Sequence, residues 1–104
     1  MHAMEKRKHK RTACNCEASW SYFNKEPAAN GRILNFSPAG SYLEVERAML
    51  PGATILIRVL QCHGPSPDYP EGLPANAMAE VKWCREIDPA AARHGVGVRY
   101  HFPV

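Results

Sequence analysis

Hydrophobic and polar residues alternate along most of the chain, which is the pattern of strands that bury one face and expose the other. The first such stretch is long and covers residues 14–22. A short strand is expected at residues 32–36, and four later stretches repeat the alternation. The residues expected to face inward are Cys14, Cys16, Ala18, Trp20 and Tyr22, then Leu43 and Val45, then Ile55, Ile57 and Val59, then Ala79, Val81 and Trp83, and finally Val96, Val98, Tyr100 and Phe102.

Turn signals separate these stretches. They are Asn30-Gly31, Ser-Pro-Ala-Gly at residues 37–40 and Pro51-Gly52. Asp88 followed by Pro89 predicts one short helical turn with Asp88 as its N-cap. About six strands without a helix long enough to cover a sheet fit an antiparallel barrel or sandwich, and barrel closure also removes exposed edges. We therefore predict an all-β fold, a small six-stranded antiparallel barrel.

Residues 61–76 interrupt the alternating pattern with four prolines and two glycines. Proline fixes φ and lacks a backbone donor, so neither a helix nor an interior strand suits this composition. We expect a long, mobile surface loop here.

Length and composition indicate one soluble domain. The chain has 104 residues, of which 45% are hydrophobic, as is ordinary for a single globular domain. No apolar run reaches the roughly 18 residues of a membrane-spanning helix, and the basic N-terminus is not followed by the apolar segment of a signal peptide. We expect a cytoplasmic protein that does not insert into membranes.

Positive charge is concentrated near the N-terminus. Residues 5–11 contain five Lys/Arg and one acidic residue, whereas the rest of the chain has eight Lys/Arg and nine Asp/Glu. The segment thus carries +4 and the remainder −1. An extended nucleic-acid-binding face needs a basic stripe across the fold. The charge distribution argues against nucleic acid as the partner and favours a small anion bound by a flexible basic arm.

Four cysteines raise the question of a metal site or a disulfide. Cys14 and Cys16 form a C-x-C pair, and Cys62 is followed by His63. Structural zinc sites usually use paired cysteine or histidine knuckles with longer internal spacing. Thiols on the inward face of a strand behave as small hydrophobic groups, and disulfides are rare in the cytosol. We expect reduced structural thiols and no bound metal.

The sequence contains no motif typical of a catalytic site. It has no glycine-rich phosphate loop, no G-x-S-x-G and no H-E-x-x-H. Gly-Val-Gly-Val at residues 95–98 lies inside the last predicted strand, so it does not fit a dinucleotide-binding fingerprint. Its glycines favour close backbone approach or a bend. We expect no enzymatic activity, no catalytic residues and no cofactor.

Residues 35–40, Asn-Phe-Ser-Pro-Ala-Gly, form the first candidate site. Asn35 and Ser37 should project to one side of a strand end while Phe36 turns to the core. Their amide and hydroxyl groups offer donors and acceptors that suit the edge of a purine. Gly40 is placed for a turn that needs positive φ, or for unhindered backbone approach. Taken alone, the stretch fits an ordinary polar turn better than a binding edge.

Arg7 and Arg11 form the second candidate site. Four residues apart, they would share one side of an extended arm or one face of a helical arm. A guanidinium can pair with phosphate or with the O6/N7 edge of guanine, and it can stack on a base. Lys6, Lys8 and Lys10 add positive potential that attracts an anion. Taken alone, the arm fits a solvated basic tail.

Together, the two stretches resemble the PilZ family, whose members bind the bacterial second messenger cyclic di-GMP. The family signature is R-x-x-x-R ahead of the first barrel strand and D/N-x-S-x-x-G at a strand-to-strand turn. Arg7 and Arg11 match the first motif, and Asn35, Ser37 and Gly40 match the second. Three later stretches also resemble family strands, at residues 50–59, 79–84 and 94–102.

The resemblance implies a role for each matching residue. Arg7 and Arg11 would clamp phosphates and guanine, and Asn35 and Ser37 would hydrogen-bond to guanine. Gly40 would set the turn geometry, and the three lysines of the arm would be auxiliary. Asn35 stands where aspartate is commoner in the family, which removes a charge that would pair with guanine N–H donors.

For the whole chain, the resemblance implies a PilZ-like split barrel at residues 12–104, preceded by the flexible arm at residues 1–11. Cyclic di-GMP would order the arm over the barrel and change the interaction with a protein effector, in a monomer or a homodimer. Two other functions stay open. The chain could be a small barrel that binds single-stranded nucleic acid through its arm and exposed aromatic residues, or a PilZ-like protein adaptor without a ligand.

Overall fold

The computed structural model describes residues 10–23, 25, 28–64 and 69–101. Within these residues the chain forms six strands, β1 (Thr12–Tyr22), β2 (Ala29–Ser37), β3 (Gly40–Val45), β4 (Thr54–Cys62), β5 (Asn76–Asp88) and β6 (Arg93–Tyr100). Neighbouring strands are antiparallel in the order β1-β2-β3-β6-β5-β4, and β4 pairs with β1 to close the barrel. The predicted all-β, six-stranded antiparallel barrel is confirmed. The described residues include no helix that could span a membrane.

The inward-facing residues form a hydrophobic core, much as the alternation predicts. The members of the expected inward sets that are buried are Cys16, Ala18, Trp20, Leu43, Val45, Ile55, Ile57, Ala79, Val81, Val96, Val98 and Tyr100. Cys14, Tyr22 and Val59 are partly buried against this core. Phe102 lies outside the described residues. Removal of this apolar surface from water, at about 25 cal/mol per Å², is the main stabilising term of such a fold.

The predicted helical turn lies between β5 and β6. Pro89–Ala91 form a single 3-10 turn, and the Asp88 carboxylate accepts a hydrogen bond from the Ala91 amide at 3.4 Å. Asp88 is therefore the N-cap, as its position before a proline predicts. The expected turn at Pro51-Gly52 is confirmed as well, with Gly52 at a φ of 90°.

Asn30 and Gly31 do not form the expected turn. Both lie within β2 and pair with β1. A Cβ on Gly31 would lie 2.8 Å from Cγ1 of Val45, so the glycine makes room for a neighbouring side chain. The connection between the two strands lies earlier, between Tyr22 and Ala29.

Trp83 faces outward, although the alternation places it with the core residues. The register between β5 and β6 shifts between Val81 and Trp83, and such a bulge changes the side to which the following residue points. The Trp83 side chain is 39% exposed and covers Gly97, where any Cβ would clash with the indole.

The second half of the proline-rich segment, residues 69–75, forms no strand and is mostly exposed, as its composition predicts, but one side chain departs from that pattern. Leu73 lies in the core and is only 5% exposed. The Val59 amide donates to the carbonyl of Ala75 at 2.9 Å, which holds the segment against β4. The predicted surface loop holds for most of the described part of the segment, and it is wrong at Leu73, at residues 61–62, which lie in β4, and at residue 76, which begins β5.

Cys16 and Cys62 form a disulfide, contrary to the expectation of reduced thiols throughout. The two residues lie opposite each other in the β1–β4 register, although 46 positions separate them in the sequence. Cys14 and Cys84 are free thiols. Among the described residues, no group of three or more His, Cys, Asp or Glu side chains is arranged to hold a metal ion.

Gly40 allows β3 and β6 to approach closely. It pairs with Arg99, and a Cβ at this position would clash with the Val98 carbonyl oxygen. Gly40 does not have positive φ, unlike Gly52 and Gly72. Of the two reasons considered for a glycine here, unhindered backbone approach is the one that applies.

We expect Gly40→Ala to lower the free energy of unfolding by roughly 1–3 kcal/mol, because the added methyl meets backbone that cannot rotate away. Chemical denaturation followed by tryptophan fluorescence would measure the change. The neighbouring exposed residue supplies the control, since Ala39→Ser should stay within about 0.5 kcal/mol of the wild type. Equal stability of Gly40→Ala and the wild type would contradict the close approach.

Candidate functional site

The β2–β3 hairpin carries the second sequence motif at its tip. Ser37 pairs with Gly40 across a turn made by Pro38 and Ala39, which confirms the predicted turn. The Ser37 Oγ accepts a hydrogen bond from the Ala39 amide at 3.1 Å, a local bond typical of serine in turns. The Ala39 carbonyl accepts a hydrogen bond from the Tyr100 amide at 2.8 Å. The turn is therefore fixed both internally and to β6.

Arg11 lies at the same end of the barrel as this hairpin. Thr12 pairs with Phe36, which directs the preceding residue toward the turn. The Arg11 Nη1 donates a hydrogen bond to the carbonyl oxygen of Gly40 at 3.4 Å, and the side chain is half-buried. The fold thus brings together an arginine of the first motif and the glycine of the second, which are 29 residues apart.

Asn35 lies on β2 just before the hairpin turn, opposite Ala13 in β1 and Tyr42 in β3. Its Oδ1 is buried and accepts a hydrogen bond from none of the described residues. A buried acceptor without a partner costs about 1–3 kcal/mol. A ligand that offers an N–H donor at this point would recover that cost.

The two residues before Pro38 differ from the expectation in one respect. Phe36 is buried in the core, as expected. Ser37 is also buried, at 5% exposure, instead of projecting freely, because its hydroxyl folds back to the turn amide. The hydroxyl hydrogen remains a donor, so Ser37 can still bond to an acceptor beside the turn.

The groups with a shifted pKa at this end of the barrel are one thiol and two phenols, which are uncharged at neutral pH. Burial raises the pKa of the Cys14 thiol. Burial also raises the pKa of Tyr100, and the positive charge of Arg11 partly opposes that effect. The pKa of Tyr69 is raised by burial and then by Cys14. The guanidinium stays protonated, so this end of the barrel is positive where Arg11 lies.

Of the arm residues assigned to the site, only Lys10 and Arg11 are among the described residues. Lys10 is exposed. Arg7, Lys6 and Lys8 lie outside the described residues, so their assignment to a binding site stays a prediction.

Sequence reasoning missed an aromatic surface on the outer face of β3, β6 and β5. The rings of Tyr42 and Trp83 lie with centroids 5.8 Å apart, and the Arg85 guanidinium carbon is 5.0 Å from the Trp83 ring centroid. Gly95 and Gly97 make room for the two rings on the strand between them. Glycines at alternate positions of the last strand were the signal for this packing.

Comparisons with known proteins agree with this architecture. The family model for the PilZ domain matches residues 5–103. A search of curated proteins found no match. Among solved structures, the PilZ domain of YcgR from Escherichia coli, in a structure with c-di-GMP, is similar with a TM-score of 0.64 and 13% identity, covering 93% of this chain and 79% of that chain. That structural likeness shows a shared fold, and because the family model spans nearly the whole sequence, the chain belongs to the PilZ domain family.

Proposed function

We propose that this protein is a receptor for cyclic di-GMP. The observation that carries the proposal is the hydrogen bond from Arg11 to the Gly40 carbonyl, because it joins the arm motif to the hairpin motif at one end of the barrel. Membership of the PilZ domain family and the YcgR structure with c-di-GMP support the same ligand.

A guanine base complements the polar groups of the hairpin. The buried Oδ1 of Asn35 would accept hydrogen bonds from the N–H edge of guanine. The Ser37 hydroxyl already accepts a bond from the turn amide, and its hydrogen would be donated to an acceptor on the base. Gly40 takes part through its backbone, because its missing side chain keeps the turn against β6.

The arginines would bind the charged part of the ligand. Cyclic di-GMP has two phosphates and two guanines, and a planar guanidinium can bind either group in a bidentate manner. Arg11 is already held beside the hairpin, where it would contact a base or phosphate next to Ser37. Arg7 would close over the other side, and the lysines of the arm would raise the local potential.

Ligand binding would act by ordering the arm. A ligand shifts an equilibrium only through contacts that it makes better in one state than in the other. Arg7 and Arg11 would supply such contacts in the closed state. The newly formed surface of arm and hairpin would then change the affinity for a protein effector.

We further infer that the protein acts by binding and not by catalysis, in the cytoplasm of a bacterium. Such a module would act as a monomer or a homodimer, with the effector setting the biological outcome. The flexible arm at residues 1–11 and the barrel at residues 12–104 would be its two working parts.

A second candidate function is binding of single-stranded nucleic acid. Trp83 is exposed and stacks with Arg85, which suits contact with an unpaired base. This function predicts steep salt dependence toward oligonucleotides and no competition by the dinucleotide. Competition between a labelled oligonucleotide and cyclic di-GMP separates the two functions. A chain that binds neither would fit the third function, a protein adaptor.

Titration calorimetry with cyclic di-GMP tests the main proposal directly. We expect binding at micromolar or lower ligand concentration, and loss of at least about tenfold in affinity in Arg7→Ala and in Arg11→Ala, since hydrogen bonds to charged groups contribute about 1.5–3 kcal/mol. No heat with the wild-type chain, or wild-type affinity in both variants, would refute the receptor function.

Lysine should not replace arginine at position 11. Arg11→Lys keeps the charge but loses the planar fork, so we expect affinity to fall about tenfold or more. The exposed neighbour gives a matched control, because Lys10→Arg changes the same pair of residue types and should leave affinity unchanged. If both variants bind like the wild type, the site needs positive charge but no guanidinium.

We expect Asn35→Asp to bind cyclic di-GMP several-fold more tightly, because a carboxylate forms hydrogen bonds with N–H donors that are about twice as strong. The same change should destabilise the ligand-free protein, since the oxygen it charges is buried. Calorimetry and chemical denaturation measure the two effects. Asn30→Asp adds the same charge at an exposed position of the same strand, and it should change neither the affinity nor the stability. Unchanged affinity in Asn35→Asp would mean that this side chain does not face the ligand.

A further inference from the structure

The Cys16–Cys62 disulfide lies where β4 ends. Cys16 is fully buried on β1, whereas Cys62 is partly exposed as the last residue of β4. Just beyond this pair, the His63 amide donates to the Asn15 carbonyl at 2.8 Å. The His63 ring also contacts the Glu17 carboxylate at 2.7 Å. The covalent bond thus holds the outer end of the β1–β4 contact together with two weaker polar links.

The segments that leave this disulfide on both sides border the candidate ligand site. On one side, β1 runs back from Cys16 to its start, where Arg11 contacts the hairpin. On the other side, residues 69–75 follow Cys62 in the chain and lie near the hairpin, since a Cβ on Gly72 would be 3.7 Å from the Phe36 ring. The disulfide therefore fixes the bases of two segments that meet around the hairpin.

We propose that Cys16 and Cys62 form a reversible redox site, whose oxidation fastens this end of the barrel and increases the affinity for cyclic di-GMP. The first half stands on the pairing of Cys16 with Cys62 across β1 and β4 and on the proposed cytoplasmic location, and the second half rests on the proposed function. The two halves are tested by separate measurements.

The location proposed for the protein favours reversibility. In the reducing bacterial cytoplasm, the disulfides that do form are usually transient and redox-sensing. The barrel keeps its six-strand hydrogen bonding and its apolar core on either side of this pair, so reduction should loosen one end without unfolding the whole. A bond that joins the strands leading to a binding site, at one end of the barrel, is suited to regulation.

The exchange chemistry proceeds at the exposed sulfur. A thiolate of a dithiol reductant attacks the Cys62 sulfur, the bond to Cys16 breaks, and the departing Cys16 thiolate takes up a proton. The second thiol of the reductant then attacks the mixed disulfide, which frees Cys62 and leaves the reductant as its own disulfide. Two electrons pass to the protein. Oxidised glutathione drives the reverse reaction, with release of two molecules of reduced glutathione.

Cys14 is positioned so that it does not compete for this bond. Its Sγ points to β2, where it donates to the Ile33 carbonyl at 3.5 Å, whereas Cys62 lies on the β4 side of β1. Burial also raises the pKa of the Cys14 thiol, which keeps it protonated and a poor nucleophile. Shuffling of the disulfide to Cys14 is therefore disfavoured.

Thiol counting tests the redox site without any ligand. The full chain is equilibrated in buffers of reduced and oxidised glutathione, acid-quenched, denatured and labelled with a polyethylene glycol maleimide. With four cysteines in the chain, we expect four labels under reducing conditions and two under oxidising conditions. Cys62→Ser should give three labels in both, and Cys84→Ser, the control, should still lose two on oxidation. Four labels on the wild-type protein in every glutathione buffer, oxidising as well as reducing, would overturn the proposal.

Coupling to the rest of the site is measured in the oxidised and reduced wild-type protein. We expect slower hydrogen exchange at the His63 amide and at least about fivefold tighter binding of cyclic di-GMP in the oxidised form, at the lower end of usual coupling between sites. Cys62→Ser should show the weaker affinity in either buffer, and Cys84→Ser should respond like the wild type. Equal affinities in the two wild-type forms would refute the regulatory half. If neither form binds the dinucleotide, the receptor function fails, while the redox site is still decided by thiol counting. An unchanged His63 exchange rate would show that oxidation does not fasten this end of the barrel.

Discussion

The close approach of β3 to β6 at Gly40 is the constraint on which the rest of the structure depends. Any side chain here would collide with the Val98 carbonyl, so the two strands would have to move apart at this point of the ring. The same approach holds the hairpin turn against β6, where Tyr100 bonds to the Ala39 carbonyl. A barrel whose closure fixes the turn so firmly presents the polar groups of that turn at defined positions. Binding can then proceed without the cost of ordering the hairpin.

Much of the fold could be predicted because strands have a fixed side-chain period of two, and turns and caps have characteristic residues. The predictions failed where tertiary packing changed the meaning of a local signal. Gly31 is a glycine because the Val45 side chain occupies the space of a Cβ. Trp83 points outward because the bulge after Val81 shifts the alternation of inward and outward side chains by one residue. Leu73 is buried within a proline-rich loop whose composition predicts exposure throughout. Each failure arises from a contact between residues distant in sequence, which no local pattern contains.

The candidate site was predictable to a different degree. Asn35, Ser37 and Gly40 lie within six residues, so their proximity follows from one turn, and the motif frame related them to Arg11. That Ser37 is buried, and that Asn35 has an acceptor without a described partner, could not be read from the sequence because both depend on neighbouring strands. The disulfide partner of Cys16 was hidden for the same reason, since only the β1–β4 register places it opposite Cys62.

The length of the Arg11–Gly40 hydrogen bond bears on how a ligand could act through the arm. At 3.4 Å it is longer than the usual range of about 2.7–3.2 Å, so it stabilises its geometry only weakly. A phosphate or guanine that accepts from the same guanidinium would form a shorter, charge-assisted bond. Exchange of the long bond for the short one lowers the free energy of the bound state without a large cost in the free state. Arg11 is thus placed beside the hairpin by a bond that a ligand could replace with a stronger one, which is the condition for a ligand to shift its equilibrium.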